Sequence, residues 1–173
     1  LAHIDPIGTI LLPLVLLVSS QGTMAFGWAK PVPVNPFVFR NPRRGVFLVS
    51  LAGPASNIIL ALIAGLIFRV TIMSPAMADM FGPLQLVLMS IASINLYLAF
   101  FNLIPIPPLD GSGVLASLLP TEYAVKYESI GRMGMFVIFG LIILGSFMGF
   151  SIIGAIIVPP AHALLRLFTG LGY

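Results

Sequence analysis

Residues 46–68 read VFLVSLAGPASNIILALIAGLIF, a run of 23 positions with no ionisable side chain. A helix rises about 1.5 Å per residue, and about 20 residues cross the hydrocarbon core of a bilayer. The run is therefore long enough to span a membrane. Its middle, LAGPASN at residues 51–57, sets Ala52, Gly53, Ala55 and Ser56 around Pro54. Small residues let a neighbouring helix approach closely and proline bends the axis, so this block reads as a packing surface.

The chain on either side repeats the theme. Residues 80–109 carry no charge, and a second span is expected over about 84–104, ended by Pro105, Pro107 and Pro108. The 33 residues between Arg132 and Arg166 are also uncharged. They read as a span over about 133–150 followed by a segment at 151–168, either a crossing or an interfacial helix, with Pro159 and Pro160 breaking it near its end. Towards the start, IGTILLPLVLLV at 7–18 is only 12 residues long and reads as a partial or re-entrant segment. Between it and the first span, GWAKPVPVNPFVFRNPRRG has prolines at 31, 33, 36 and 42, which forbid a continuous helix and suggest an extended loop or edge strand.

Composition fits this reading. Of the 173 residues, 59% are hydrophobic and 8% charged, and the mean hydropathy is +1.12. A water-soluble domain carries roughly 25% charged residues. The expected fold class is thus an all-α polytopic membrane protein, one integral domain over 1–173 embedded in a lipid bilayer. The net charge is +3, and Lys30, Arg40, Arg43 and Arg44 cluster in one connection. Basic residues flanking an apolar span mark the cytoplasmic side rather than a nucleic-acid surface. The span at 46–68 then runs outward, the next returns, and residue 110 emerges on the cytoplasmic side. The chain has no cysteine, so Cys-based metal or nucleophile chemistry is excluded. There is no glycine-rich phosphate loop and no Gly-x-Ser-x-Gly elbow. No sequence feature specifies an oligomeric state.

One short stretch stands out chemically: FNLIPIPPLDG at residues 101–111. A carboxylate inside a membrane segment costs about 2.5–3.5 kcal/mol on insertion scales, so it has a partner or a cavity. Three prolines in four residues also abandon helical hydrogen bonding, which survives at membrane depth only where backbone is buried or lines a wet cavity. The competing reading makes Asp110 an Asx turn or the cap of the following helix. Asn95 and Asn102 lie seven residues apart on one helix face. Asn102 is placed either to donate to a substrate carbonyl or oxyanion, or to hydrogen-bond between helices with Asn57, Ser56 and Asn95. His3 and His162 are the two histidines. Neither makes a tetrahedral site with Asp110, since a catalytic zinc wants three protein ligands. An ion path lined by Asp110, Asn102 and Asn95, and a purely structural role, both remain open on these residues.

Four blocks in order, HIDPIGT, GWAKPVPVNP, LAGPASN and NLIPIPPLDG, together resemble the site-2 protease family of intramembrane zinc metalloproteases in its compact prokaryotic form. The resemblance runs from Leu1 to about Gly113. It implies a helical bundle holding Zn2+ between a His-Glu-x-x-His motif on an earlier helix and the aspartate of Leu-Asp-Gly. Asp110 corresponds to that aspartate, and Asn102 to the family's asparagine eight residues before it. No His-Glu-x-x-His occurs in the sequence, and an N-terminal part bearing it is expected to precede Leu1. The chain by itself is not expected to hold a complete catalytic site. The implied reaction is zinc-assisted hydrolysis of a peptide bond in a transmembrane substrate, the missing glutamate being the general base. Such a substrate must unwind before its carbonyls can be attacked. Val32, Pro33, Val34 and Asn35 are the expected contact for the unwound strand, by β-addition.

Overall fold

Residues 38–171, apart from Ser74 and Ile130, are described by the computed structural model of the chain. Among them there are seven helices and no strands. The predicted partial segment at 7–18 and the extended loop up to residue 37 lie outside the described residues.

Helix α1 (Pro42–Thr71) starts where the sequence supplies a cap: the Asn41 side chain accepts from Arg44 N at 3.2 Å, and Pro42 sits where no amide donor is needed. Its 30 residues make about 45 Å of helix, against about 30 Å of hydrocarbon. The helix therefore extends beyond the predicted span at both ends. Pro54 is accommodated within it. A short helix, α2 (Pro75–Met80), turns the chain into α3 (Gly82–Asn102). One side chain holds that turn: Gln85 Nε2 donates to Thr71 O and to Ala78 O, each at 3.3 Å. The end of α1 and a carbonyl of α2 are thus satisfied from the first turn of α3.

Helix α3 ends at Asn102, just before the prolines. Then come α4 (Asp110–Leu118), α5 (Thr121–Ser129), α6 (Gly131–Met148) and α7 (Ile152–Thr169). Helices α1, α3 and α7 are each long and apolar enough to cross a membrane, and α5 with α6 passes the same test only as a bent pair. Helix α6 occupies the stretch expected at 133–150, two residues earlier at each end.

The prolines at 159 and 160 do not break α7, contrary to the sequence reading. Each removes one backbone donor, towards Ala155 or Ile156, but ending the helix in an apolar medium would strand several more polar groups. Ser151 caps α7 by accepting from Gly154 N at 2.9 Å, and Gly170, with φ 73°, ends it.

Small side chains form the seams. Ala61, Ala64, Ala92, Leu96, Ala99 and Ala161 are buried where α1, α3 and α7 meet. Phe168 of α7 packs on Gly65 of α1, where a β-carbon would lie 2.7 Å from the Phe168 β-carbon. Ala161 joins Ala61 in one buried cluster, so the order Ala61, Gly65 on α1 is met by Ala161, Phe168 on α7 and the two helices run in the same direction. Large apolar side chains point outward, Leu86 being 74% and Phe147 86% exposed. In water such a surface would aggregate; in a bilayer it faces lipid.

Candidate functional site

The turn between α3 and α4 is tied by its own backbone. Ile104 N donates to Phe101 O at 3.1 Å, Ile106 N to Ile104 O at 2.8 Å, and Leu109 N to Ile106 O at 3.0 Å. The peptide bond between Pro107 and Pro108 is cis. From outside, Tyr127 Oη of α5 donates to Pro105 O at 2.7 Å. The proline turn thus has its own hydrogen bonds and a clamp, which answers the question its sequence raises about unsatisfied carbonyls.

Asp110 opens α4. The N-cap residue is Leu109, and no side chain caps the helix. Ser112 caps nothing at this end either: its hydroxyl donates to Leu109 O at 2.7 Å. The capping reading of Asp110 is therefore not what the chain adopts. Its carboxylate instead lies against α1 at Gly53, where a β-carbon would be 2.7 Å from Asp110 Oδ2. Next along, Gly113 meets the Ser50 side chain in the same way. Two glycines, one on each helix, let α4 sit on α1 and bring the carboxylate to the LAGPASN block. Sequence reasoning took that block as packing alone. The signal available was a glycine before a mid-span proline, and only the fold says what it faces.

Asp110 is partly buried, and burial pushes its carboxyl above the usual carboxylate range. Among the described residues it has no hydrogen-bond or ion-pair partner. At the first turn of a helix, the free amide groups favour its ionised form. It is a partly desolvated carboxylate with its lone pairs unused among the described residues, which suits a metal ligand. Among the described residues, however, no group of three or more His, Cys, Asp or Glu could hold a metal ion. The described residues supply one donor.

The other expected residues divide. Asn102 is the last residue of α3, half-buried, with no side-chain partner among the described residues. Gly111, beside Asp110, packs against the carbonyl of Leu103, beside Asn102, so the turn brings these two neighbourhoods together. Asn95 does not join them: its Nδ2 donates to Ile91 O at 2.8 Å on its own helix. Ser56 likewise donates to Ala52 O at 2.7 Å. Neither forms the interhelical bond the sequence suggested; each bonds instead to a carbonyl one turn back on its own helix. Val32, Pro33, Val34 and Asn35, with His3, lie outside the described residues. His162 has a partner the sequence did not announce, the hydroxyl of Tyr97 at 2.9 Å.

The sequence profile of Peptidase family M50 matches residues 69–145. The chain is also 36% identical over 175 residues to a protein of Bacillus subtilis (strain 168) named "Putative zinc metalloprotease YwhC", covering 98% of this chain and 73% of that one. No solved structure matches. The chain belongs to peptidase family M50, the site-2 proteases, and is a multi-pass membrane protein of that metallopeptidase family.

Proposed function

We propose that the protein is an intramembrane zinc metalloprotease that cuts peptide bonds of transmembrane or membrane-associated proteins, with Asp110 as one zinc ligand. The observation that carries this reading is the Asp110 carboxylate, uncapped and unpaired among the described residues, lodged against Gly53. The remaining ligands come from outside residues 38–171. Zinc, when bound, supplies a Lewis acid and lowers the pKa of a bound water towards about 7.

The residues of this chain position and bind. Asp110 is held by the α1–α4 contact and by the clamped turn before it. Asn102, at the helix end facing that turn, donates its amide to a substrate carbonyl. The segment Val32, Pro33, Val34 and Asn35 pairs with the unwound substrate strand. The site opens to the cytoplasmic face of the cell membrane, as the basic cluster Arg40, Arg43 and Arg44 at the start of α1 suggests. An ion path is less well supported, since the Asn95 amide is engaged on its own helix.

The test is the full-length protein in detergent, with its bound zinc measured and a transmembrane reporter assayed for cleavage. Near-stoichiometric zinc is expected, lost or much weakened in Asp110→Ala together with cleavage. A well-folded Asp110→Ala protein that keeps its zinc would overturn the ligand assignment. Val32→Pro with Val34→Pro should slow cleavage at unchanged zinc content; unaltered cleavage would remove the strand-pairing role.

A further inference from the structure

The seam between α3 and α7 carries polar groups that the Asp110 site does not use. It holds a cavity of about 410 Å3 lined by Met89, Ser93, Tyr97, His162, Leu165 and Arg166. Tyr97 Oη and His162 Nε2 bond to each other at 2.9 Å across the seam. The Arg166 guanidinium has no hydrogen-bond or ion-pair partner among the described residues, and neither has the Ser93 hydroxyl. Ser90, one turn earlier, shows the ordinary alternative by donating to Leu86 O at 2.8 Å. Arg69 of α1 reaches the end of α7, where a β-carbon at Gly170 would be 3.0 Å from Arg69 Nε. Gly170 N in turn donates to Arg166 O at 2.8 Å.

Towards the Asp110 end, the same seam becomes apolar. A cavity of about 400 Å3 is lined by Ile94, Tyr97, Leu98, Phe101 and Ile157. Tyr97 lines both cavities, so they adjoin at its side chain. From Ile94 to Phe101 the apolar part follows α3 for about 10 Å, within the roughly 15 Å of one leaflet's hydrocarbon. A cationic, hydrogen-bonding cavity beside an apolar one along the same helix pair matches an amphiphile lying along the bilayer normal. The guanidinium selects the head. Arginine holds phosphate through parallel charge-assisted bonds, and basic pockets between membrane helices take lipid headgroups.

We propose that the α3–α7 seam is a phospholipid site. The phosphate sits on Arg166, with Ser93 and the Tyr97–His162 pair around it, and an acyl chain runs past Tyr97 along Leu98, Phe101 and Ile157. The site is independent of Asp110 and of any bound metal.

Native mass spectrometry of the full-length protein tests this, with phosphatidylglycerol, diacylglycerol or inorganic phosphate added in turn to the parent, Arg166→Gln and Leu98→Trp. Losing the charge-assisted bonds in Arg166→Gln should weaken phosphatidylglycerol binding about tenfold. Leu98→Trp, which fills the groove, should weaken it as well. Diacylglycerol should bind the parent more weakly and be indifferent to Arg166→Gln. Equal retention of phosphatidylglycerol by the parent and Arg166→Gln overturns the proposal. So does inorganic phosphate binding as tightly as the lipid, which would define a plain anion site. A photoreactive residue replacing Leu98 should give an adduct of phospholipid mass in membranes. An adduct of protein mass alone would make the seam a helix-docking groove and sink the lipid assignment.

Discussion

At Asp110 the decisive neighbour is a side chain that is not there. Gly53 leaves room for the carboxylate, and Gly53→Ala would put a methyl group 2.7 Å from Oδ2. Overpacking of this kind costs about 1–3 kcal/mol. The expected outcome is a less stable protein with reduced zinc content, read from thermal unfolding and metal analysis; unchanged values in both would mean that the contact is slack. The titration of Asp110 gives a second test. Burial raises its folded-state pKa, so the fold prefers the protonated acid. That preference adds stability below the ordinary carboxylate pKa and is lost as pH rises through the raised value. At neutral pH the metal-free protein therefore carries an ionised, partly desolvated group. Asp110→Asn should slightly raise the unfolding temperature of the metal-free protein at neutral pH, with little effect at about pH 3. A fall at neutral pH would reveal a stabilising partner for the carboxylate.

Helix ends follow from the residues at them. Asn41 and Pro42 start α1, and the prolines after Asn102 stop α3, as local hydrogen-bond chemistry dictates. The turn from α1 to α3 depends on one amide. Gln85→Leu would leave the Thr71 and Ala78 carbonyls without that donor, and at about 0.5–1.5 kcal/mol per net hydrogen bond the loss should be about 1–3 kcal/mol. Detergent unfolding of the variant checks this, and an unchanged midpoint would mean that water or lipid headgroups replace the amide. Helix α7 shows where element-level rules fail. Two adjacent prolines stop most helices in water, yet here the helix continues, because in lipid the alternative leaves more backbone unpaired.

For the whole molecule, the bilayer acts as the solvent that selects the arrangement. Among the described residues the core is thin, half of its buried apolar side chains are alanines, and many large apolar side chains face outward. Packing of small residues, rather than burial of large ones, holds the helices together. Sidedness is testable cleanly because the chain contains no cysteine. With the basic cluster cytoplasmic, Asp79→Cys, in the connection between α1 and α3, should react with an impermeant maleimide in intact cells. Lys126→Cys should react only after the cells are broken. The reverse pattern would invert the topology and place Asp110 on the outer side.

Read alone, the chain already implied its lipid solvent, its helical class, four long apolar helices to within about four residues at each end, and the family. These follow from charge content, run length, proline positions and ordered motif blocks, all of which act locally along the chain. It also singled out Asp110 and Asn102, because a carboxylate and an amide beside a proline turn are conspicuous in so apolar a chain. Which side chains meet is visible in the folded arrangement alone: Gly53 against Asp110, Gly65 against Phe168, and Tyr97 against His162 across 65 residues of chain. The reason is geometric. Helix formation in lipid is enforced residue by residue through backbone hydrogen bonds, whereas contacts between helices depend on rotation, tilt and the fit of small against large side chains, which leave no period in the sequence.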